Sequence, residues 1–226
     1  MIKGISSMAT RLLLAELAGG FTQRSGVYVT IESVGGVDAA KRVQAGEAFD
    51  VVILASDAID KLVASGHVLG GSKVDLVNSG VAVAVCAGAQ QPDISSEDAV
   101  RAAVLAAPTI SYSTGPSGVA LASLFERWGI AGEIKGRLKQ VPPGVPVGSL
   151  VARGEVALGF QQLSELLNLE GITVLGPLPP TIQITTTFSA GICTGSTQAD
   201  AVRVMLEDMN APQASAAKRR QGMEPI

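Results

Sequence analysis

A chain of 226 residues, 47% hydrophobic and only 16% charged, holds ample material for a packed core in one large or two small domains, and it excludes a disordered polypeptide. A formal net charge of −3 argues against nucleic acid as a partner, because phosphate binding demands a concentrated excess of Lys and Arg. No uncharged apolar run approaches the ~20 residues of a membrane-spanning helix, so a soluble chain without direct membrane insertion is expected.

The N-terminus, Met1-Ile2-Lys3-Gly4-Ile5-Ser6-Ser7, shows no basic region followed by an apolar stretch and a cleavage site. As written it predicts a cytoplasmic protein; a start trimmed to the mature form would make it periplasmic. A strand at 2–5 then leads to a helix at 8–21, a strand at 27–31 to a helix at 37–45, and a strand at 51–54 to a helix at 58–65. A long extended stretch covers 75–87, with 81–85 as its apolar centre. Next come a strand at 109–112, helices at 119–128 and 147–153, a strand at 156–160, a helix at 163–167 and a strand at 173–175. A Thr-rich β stretch at 183–193 and a helix at 198–209 precede the tail. That tail, 211–226, is expected to be a final helix whose basic end, Lys218-Arg219-Arg220, is solvated.

This alternation predicts an α/β chain of βαβ units with mostly parallel strands buried on both faces. The two long β stretches read as crossings, near 81–87 and 183–193, between two lobes. The first lobe is placed at 1–80 and 190–226, the second at 81–189.

Metal and nucleophile chemistry is nearly absent. Cys86 and Cys193 fall in strand-like runs and read as free buried thiols, with a disulfide between them left open because sequence does not fix their distance. His67, after Ser65-Gly66 at a helix end, reads as helix-end decoration. One His and two separated Cys predict no metal site, and the absence of phosphate-loop or dinucleotide fingerprints predicts no cofactor. What remains are small polar residues where strands give way to helices: Ser6-Ser7, Ser33-Val34-Gly35-Gly36, Ser113-Thr114-Gly115-Pro116-Ser117-Gly118 and Pro142-Pro143-Gly144. Each offers a helix N-terminus with unbonded N–H groups, and residues small enough for backbone to approach a ligand closely.

With Ser6-Ser7, the segment 43–52 (VQAGEAFDVV), Ala55-Ser56-Asp57, Ser117-Gly118 and the segment 150–162 (LVARGEVALGFQQ), the chain resembles the molybdate-binding branch of the type II periplasmic solute-binding proteins over nearly its whole length. The resemblance implies a two-lobed fold, each lobe a sheet flanked by helices, closing on a small anion held by hydroxyls and backbone amides. The ligand-binding residues so implied are Ser6, Ser7, Gly35 and Gly36 in the first lobe, and Ser117, Gly118, Gly144 and Gln162 in the second. Two departures stand out: the family usually carries a serine where this chain has Gly36 and a tyrosine where it has Gln162. Both remove a hydroxyl and move the expected anion away from molybdate, and the amides of Gln161 and Gln162 suit a carboxylate or a larger polar ligand.

The chain also resembles aconitate isomerase, an enzyme of similar fold. Such chemistry needs a base near an allylic proton and donors for developing negative charge. Arg11, one turn after Ser7, is the candidate carboxylate partner, with Lys41 or Arg42 as others; no base stands out at the junctions. The expected function is therefore binding of a small anion, oxyanion or carboxylate. The alternatives are an isomerase of an unsaturated polycarboxylate and a cytoplasmic ligand sensor. The expected partners are the anion and, for an exported chain, the membrane component of an ABC transporter.

Overall fold

Ile2 and Ile5, both fully buried, anchor the first strand, β1 (Ile2–Ser7). The computed structural model describes residues 1–226, which fall into two units: Met1–Ser79 with Thr186–Ile226, and Gly80–Thr185. In the first unit β1 passes through a short 3-10 turn, Met8–Thr10, into α1 (Arg11–Ser25). The buried residues of α1, Leu13, Leu14, Leu17, Ala18 and Phe21, recur at helical spacing. Then follow β2 (Val29–Val34), α2 (Gly36–Gln44), β3 (Val51–Ala55), α3 (Ser56–Ala64) and β4 (Val74–Cys86), along which the chain enters the second unit after Ser79.

Parallel pairing of β1 with both β2 and β3 sets Ser7 beside Val34 and Ser6 beside Ile53. Three strands thus end at one edge of the sheet, and each gives straight into a helix. The strands alternate their burial between two cores. Ile2, Val51 and Ile53 pack with the apolar face of α1, whereas Ile5, Val52 and Leu54 pack with Ala39 and Val43 of α2 and with Ile59 and Leu62 of α3. Burial on both faces is why these segments carry no polar alternation.

The second unit runs α4 (Glu97–Ala106), β5 (Ile110–Tyr112), α5 (Pro116–Arg127), α6 (Ala131–Ile134), β6 (Leu138–Gln140), α7 (Val147–Ala152), β7 (Leu158–Gln162), α8 (Leu163–Leu166) and β8 (Ile172–Pro177). Here β5 is parallel to β6 and to β7, while β7 and β8 pair antiparallel with β4. Back in the first unit, β9 (Thr185–Ile192) runs antiparallel to β3, followed by α9 (Ala199–Asn210), α10 (Ser215–Arg220) and β10 (Met223–Pro225), which pairs with β4 at residues 77–79. Each sheet is therefore parallel where its strands feed helices, with antiparallel strands added.

Three sequence expectations change. Phe188 and Ser189 pair with Ala55 and Leu54, which sets residues 186–189 with the first unit and not the second. Helix α4 was missed, although Ser96 caps it by accepting the Ala99 N–H at 3.1 Å. The tail is a short helix followed by a strand, and Lys218 is buried at 1% exposure, not solvated. Its Nζ donates to the Leu76 carbonyl at 2.8 Å and to Asn210 Oδ1 at 2.7 Å, bonds that offset the cost of burying an amine. Among its neighbours, Arg219 lies 3.8 Å from Glu224 and Arg220 pairs with Glu16.

Candidate functional site

Each unit gathers its predicted residues at the C-terminal ends of its parallel strands, the edge where α/β sheets hold ligands. In the first unit Ser7 closes β1 and is only 8% exposed, yet its Oγ has no hydrogen-bond partner. Buried hydroxyls without partners are uncommon and ask for an explanation. The other small polar groups nearby are engaged. Ser6 Oγ lies 2.8 Å from Ser33 Oγ, tying β1 to β2, and Thr10 Oγ1 donates to the Ser7 carbonyl at 3.2 Å. Ser6, named with Ser7 on sequence, is thus a strand tie. Gly35 precedes α2 and accepts the Ala39 N–H at 2.9 Å, so the first N–H groups of α2 have no partner within the helix. Gly36 stands over Ser7: a Cβ built on it would lie 3.6 Å from Ser7 Cβ, ordinary contact. Space does not demand glycine here.

Formal positive charge is scarce in this set. Arg42 grips Glu47 through Nε and Nη2 at 2.7 and 2.6 Å and Glu32 through Nη1 and Nη2 at 2.7 and 2.9 Å. Those bonds hold both carboxyls below the usual carboxylate range and raise the guanidinium further above its own. Arg42 is therefore occupied. Arg11 opens α1 as an exposed residue, and Lys41 is also exposed.

In the second unit β6, β5 and β7 end side by side, with Tyr112 paired to Gln140 and to Phe160, so 113–117, 141–147 and Gln162 share one end of the sheet. Pro116 opens α5 without an N–H, and the Gly118 N–H already donates to the Gly115 carbonyl at 3.0 Å. Buried Ser117 is left as the first-turn residue with an N–H and a hydroxyl to offer. Gly118 has a packing role: a Cβ on it would sit 1.8 Å from the Ser113 carbonyl oxygen, so only glycine admits that approach. Gly144 is exposed, with φ 79°, in a turn closed by Val145 N–H to the Pro142 carbonyl at 3.2 Å. The helix begins only at Val147, which makes Gly144 a turn residue and Val147 and Gly148 the buried first-turn residues.

Gln162 is 4% exposed, ends β7 and precedes α8; neighbouring Gln161 is 3% exposed and committed. Gln161 Oε1 accepts the Gly148 N–H at 3.1 Å, and its Nε2 donates to Glu165 Oε2 at 2.7 Å. The expectation that both glutamines offer amides to a ligand changes for Gln161, whose amide oxygen and nitrogen are both engaged inside the protein. Glu165 was not singled out on sequence. Burial pushes its carboxyl up to about 7, opposed only by the Gln161 bond. The i, i+4 spacing of Gln161 and Glu165 across a strand-to-helix junction was the available signal. His67 Nδ1 lies 2.9 Å from Ser65 Oγ at the end of α3. Both cysteines are free thiols; Cys193, buried beside Asp50, is pushed up to about 12.

The chain is similar to several known proteins. An aconitate isomerase from a Pseudomonas species is 37% identical over 219 residues, covering 94% of this chain and 83% of that protein. The periplasmic molybdate-binding protein of Azotobacter vinelandii superposes with a TM-score of 0.82 at 20% identity, covering 100% of both chains. A sulfate-binding protein of Mycobacterium tuberculosis superposes with a TM-score of 0.79 at 18% identity, covering 100% of this chain and 86% of that one. These structural likenesses establish the fold. The bacterial extracellular solute-binding protein family model matches residues 2–224, and the chain belongs to that family.

Proposed function

We propose that this protein binds a small anion through hydroxyl and backbone-amide donors at the strand ends of its units, with little help from formal charge. The observation that carries the reading is Ser7 Oγ, buried without a partner at the end of β1 and beside the first turn of the nine-residue helix α2. A hydroxyl in that position gains its missing bond when an anion arrives, and the helix dipole favours negative charge at the same place. Ser117, Val147 and Gln162 are the donors proposed from the second unit. Names of similar proteins support an anion in general: molybdate in one, sulfate in another. Gly36 and Gln162, which lack hydroxyls, favour a carboxylate-bearing anion over a tetrahedral oxyanion. In this reading the protein partner is the membrane component of an ABC transporter.

The experiment is a thermal-shift panel of molybdate, tungstate, sulfate, phosphate and di- and tricarboxylates, in which a bound ligand raises the melting temperature by mass action. A rise with none of them overturns the reading; a rise with tetrahedral oxyanions alone overturns the carboxylate preference.

A second reading, isomerisation of an unsaturated polycarboxylate, is favoured by the 37% identity to an aconitate isomerase over 94% of the chain. It requires that a proton leave one allylic carbon and a proton be returned at the other end of the shifted double bond, with no net change in composition. Incubation of trans-aconitate with the protein, followed by proton NMR, distinguishes turnover from binding.

A further inference from the structure

Glu165 is a half-buried carboxyl with no cation to pair with. Its hydrogen bond comes from Gln161 Nε2 at 2.7 Å, and Gln161 in turn receives the Gly148 N–H at 3.1 Å. Helix α8 packs on β7 and β8, and its Leu166 meets Ala82 and Ala84 of β4. None of β7, β8, α7 or residues 80–86 of β4 carries an Asp, Glu, Lys, Arg or His. The titratable group among them is Cys86, whose Sγ lies 3.9 Å from the Ala152 carbonyl. Flanking charges look elsewhere: Arg153 pairs with Glu155 at 2.5 Å, and Glu170 is exposed. The layer behind the β7–α8 junction thus contains one carboxyl, relayed through one amide, three residues from Gln162.

We propose that Glu165 is a positioning residue which makes anion binding proton-linked: through Gln161 it holds the β7–α8 junction in place, and it takes up a proton as the anion arrives. This rests on the anion-binding reading above. A negative ligand near Gln162 and the first turn of α7 repels an ionised Glu165, which no local cation compensates, and so favours the neutral carboxyl. The carboxyl is already poised near neutrality, since burial brings it to about 7. By linkage, whatever the ligand adds to proton affinity the proton adds to ligand affinity. Affinity is then full at low pH and falls as pH rises through the Glu165 titration. A like charge within about 10 Å at an effective dielectric near 20 makes that fall roughly tenfold.

The test uses the full chain with sulfate and molybdate, whose own charge is constant from about pH 6 to about pH 8.5, and with trans-aconitate from about pH 7 upward, above the titration of its third carboxyl, and compares wild type with Glu165→Gln. The expected result is a loss of affinity of roughly tenfold across that range in wild type and a flat profile in the variant. Calorimetry of wild type near pH 7 in two buffers of different ionisation heat is independent of how the variant folds, and it should show fractional proton uptake on binding. Binding without proton uptake, or an unchanged pH slope in Glu165→Gln, overturns the proposal and leaves anion binding intact. Binding of no probe at any pH removes the anion reading and this proposal with it.

Discussion

Ser7 and Gly36 face each other across the β1–α2 junction, and the two differ in what substitution can reveal. Ser7→Ala deletes a hydroxyl that has no partner within the protein, so the fold loses no hydrogen bond. Affinity for the identified anion should fall by about tenfold or more, the worth of a bond to a charged acceptor, while the melting temperature of the ligand-free protein stays level or rises. Titration calorimetry paired with a melt decides it; equal losses in both would mark Ser7 as structural. Gly36→Ser is the converse. The added Cβ meets Ser7 Cβ at 3.6 Å without a clash, so the variant should fold normally and present a second hydroxyl. Binding of molybdate or sulfate should strengthen by several-fold relative to tricarboxylates, as read from the ratio of their dissociation constants.

At the scale of elements, the β7–α8 junction ties pH to stability. The folded chain keeps the Glu165 proton up to about pH 7, whereas an unfolded chain gives it up near the usual glutamate value of about 4.3. Stability is complete below the lower value, declines as pH rises between the two, and bears the full cost above the upper one. That cost is at most about 4 kcal/mol, and Glu165→Gln should remove it, flattening the decline in melting temperature between about pH 5 and about pH 8. The elements themselves were readable to differing degrees. Strand β3, Val51–Ala55, announces itself because burial on both faces leaves an unbroken run of Val, Ile, Leu and Ala, whereas β1, β5 and β7 mix buried Ile, Leu or Phe with small and polar residues and are marked more by the helix that follows each. Strands β6 and β10, three residues each, exist only by pairing with β5 and β4 far along the chain, so no local pattern marks them. In α4 an Ala-rich face blurred the period, although Ser96 followed by Glu97 and Asp98 was a legible start. At the site, Ser7 could be read from its place before a helix. The engagement of Gln161 could not, since it depends on β7 and α7 meeting through tertiary packing.

For the molecule as a whole, Lys218 shows how the last residues are secured to the first unit. Its amine bridges the Leu76 carbonyl of β4 and Asn210 of α9, and burial lowers its pKa. Lys218→Met keeps the length and apolar stem but orphans both acceptors, so it should cost about 1–3 kcal/mol, seen as an earlier urea midpoint with an unchanged slope. The division of the chain has a further result, in the order of biosynthesis. Gly80–Thr185 is one uninterrupted run with its own core, whereas the other unit needs both ends of the polypeptide. As the ribosome proceeds, the continuous unit has all its residues while its neighbour still lacks β9, the strand that covers β3. The edge of β3 stays open until residues 186–192 have been made, and for that interval the nascent chain presents an unpaired row of backbone groups suited to chaperone capture or to pairing with another chain.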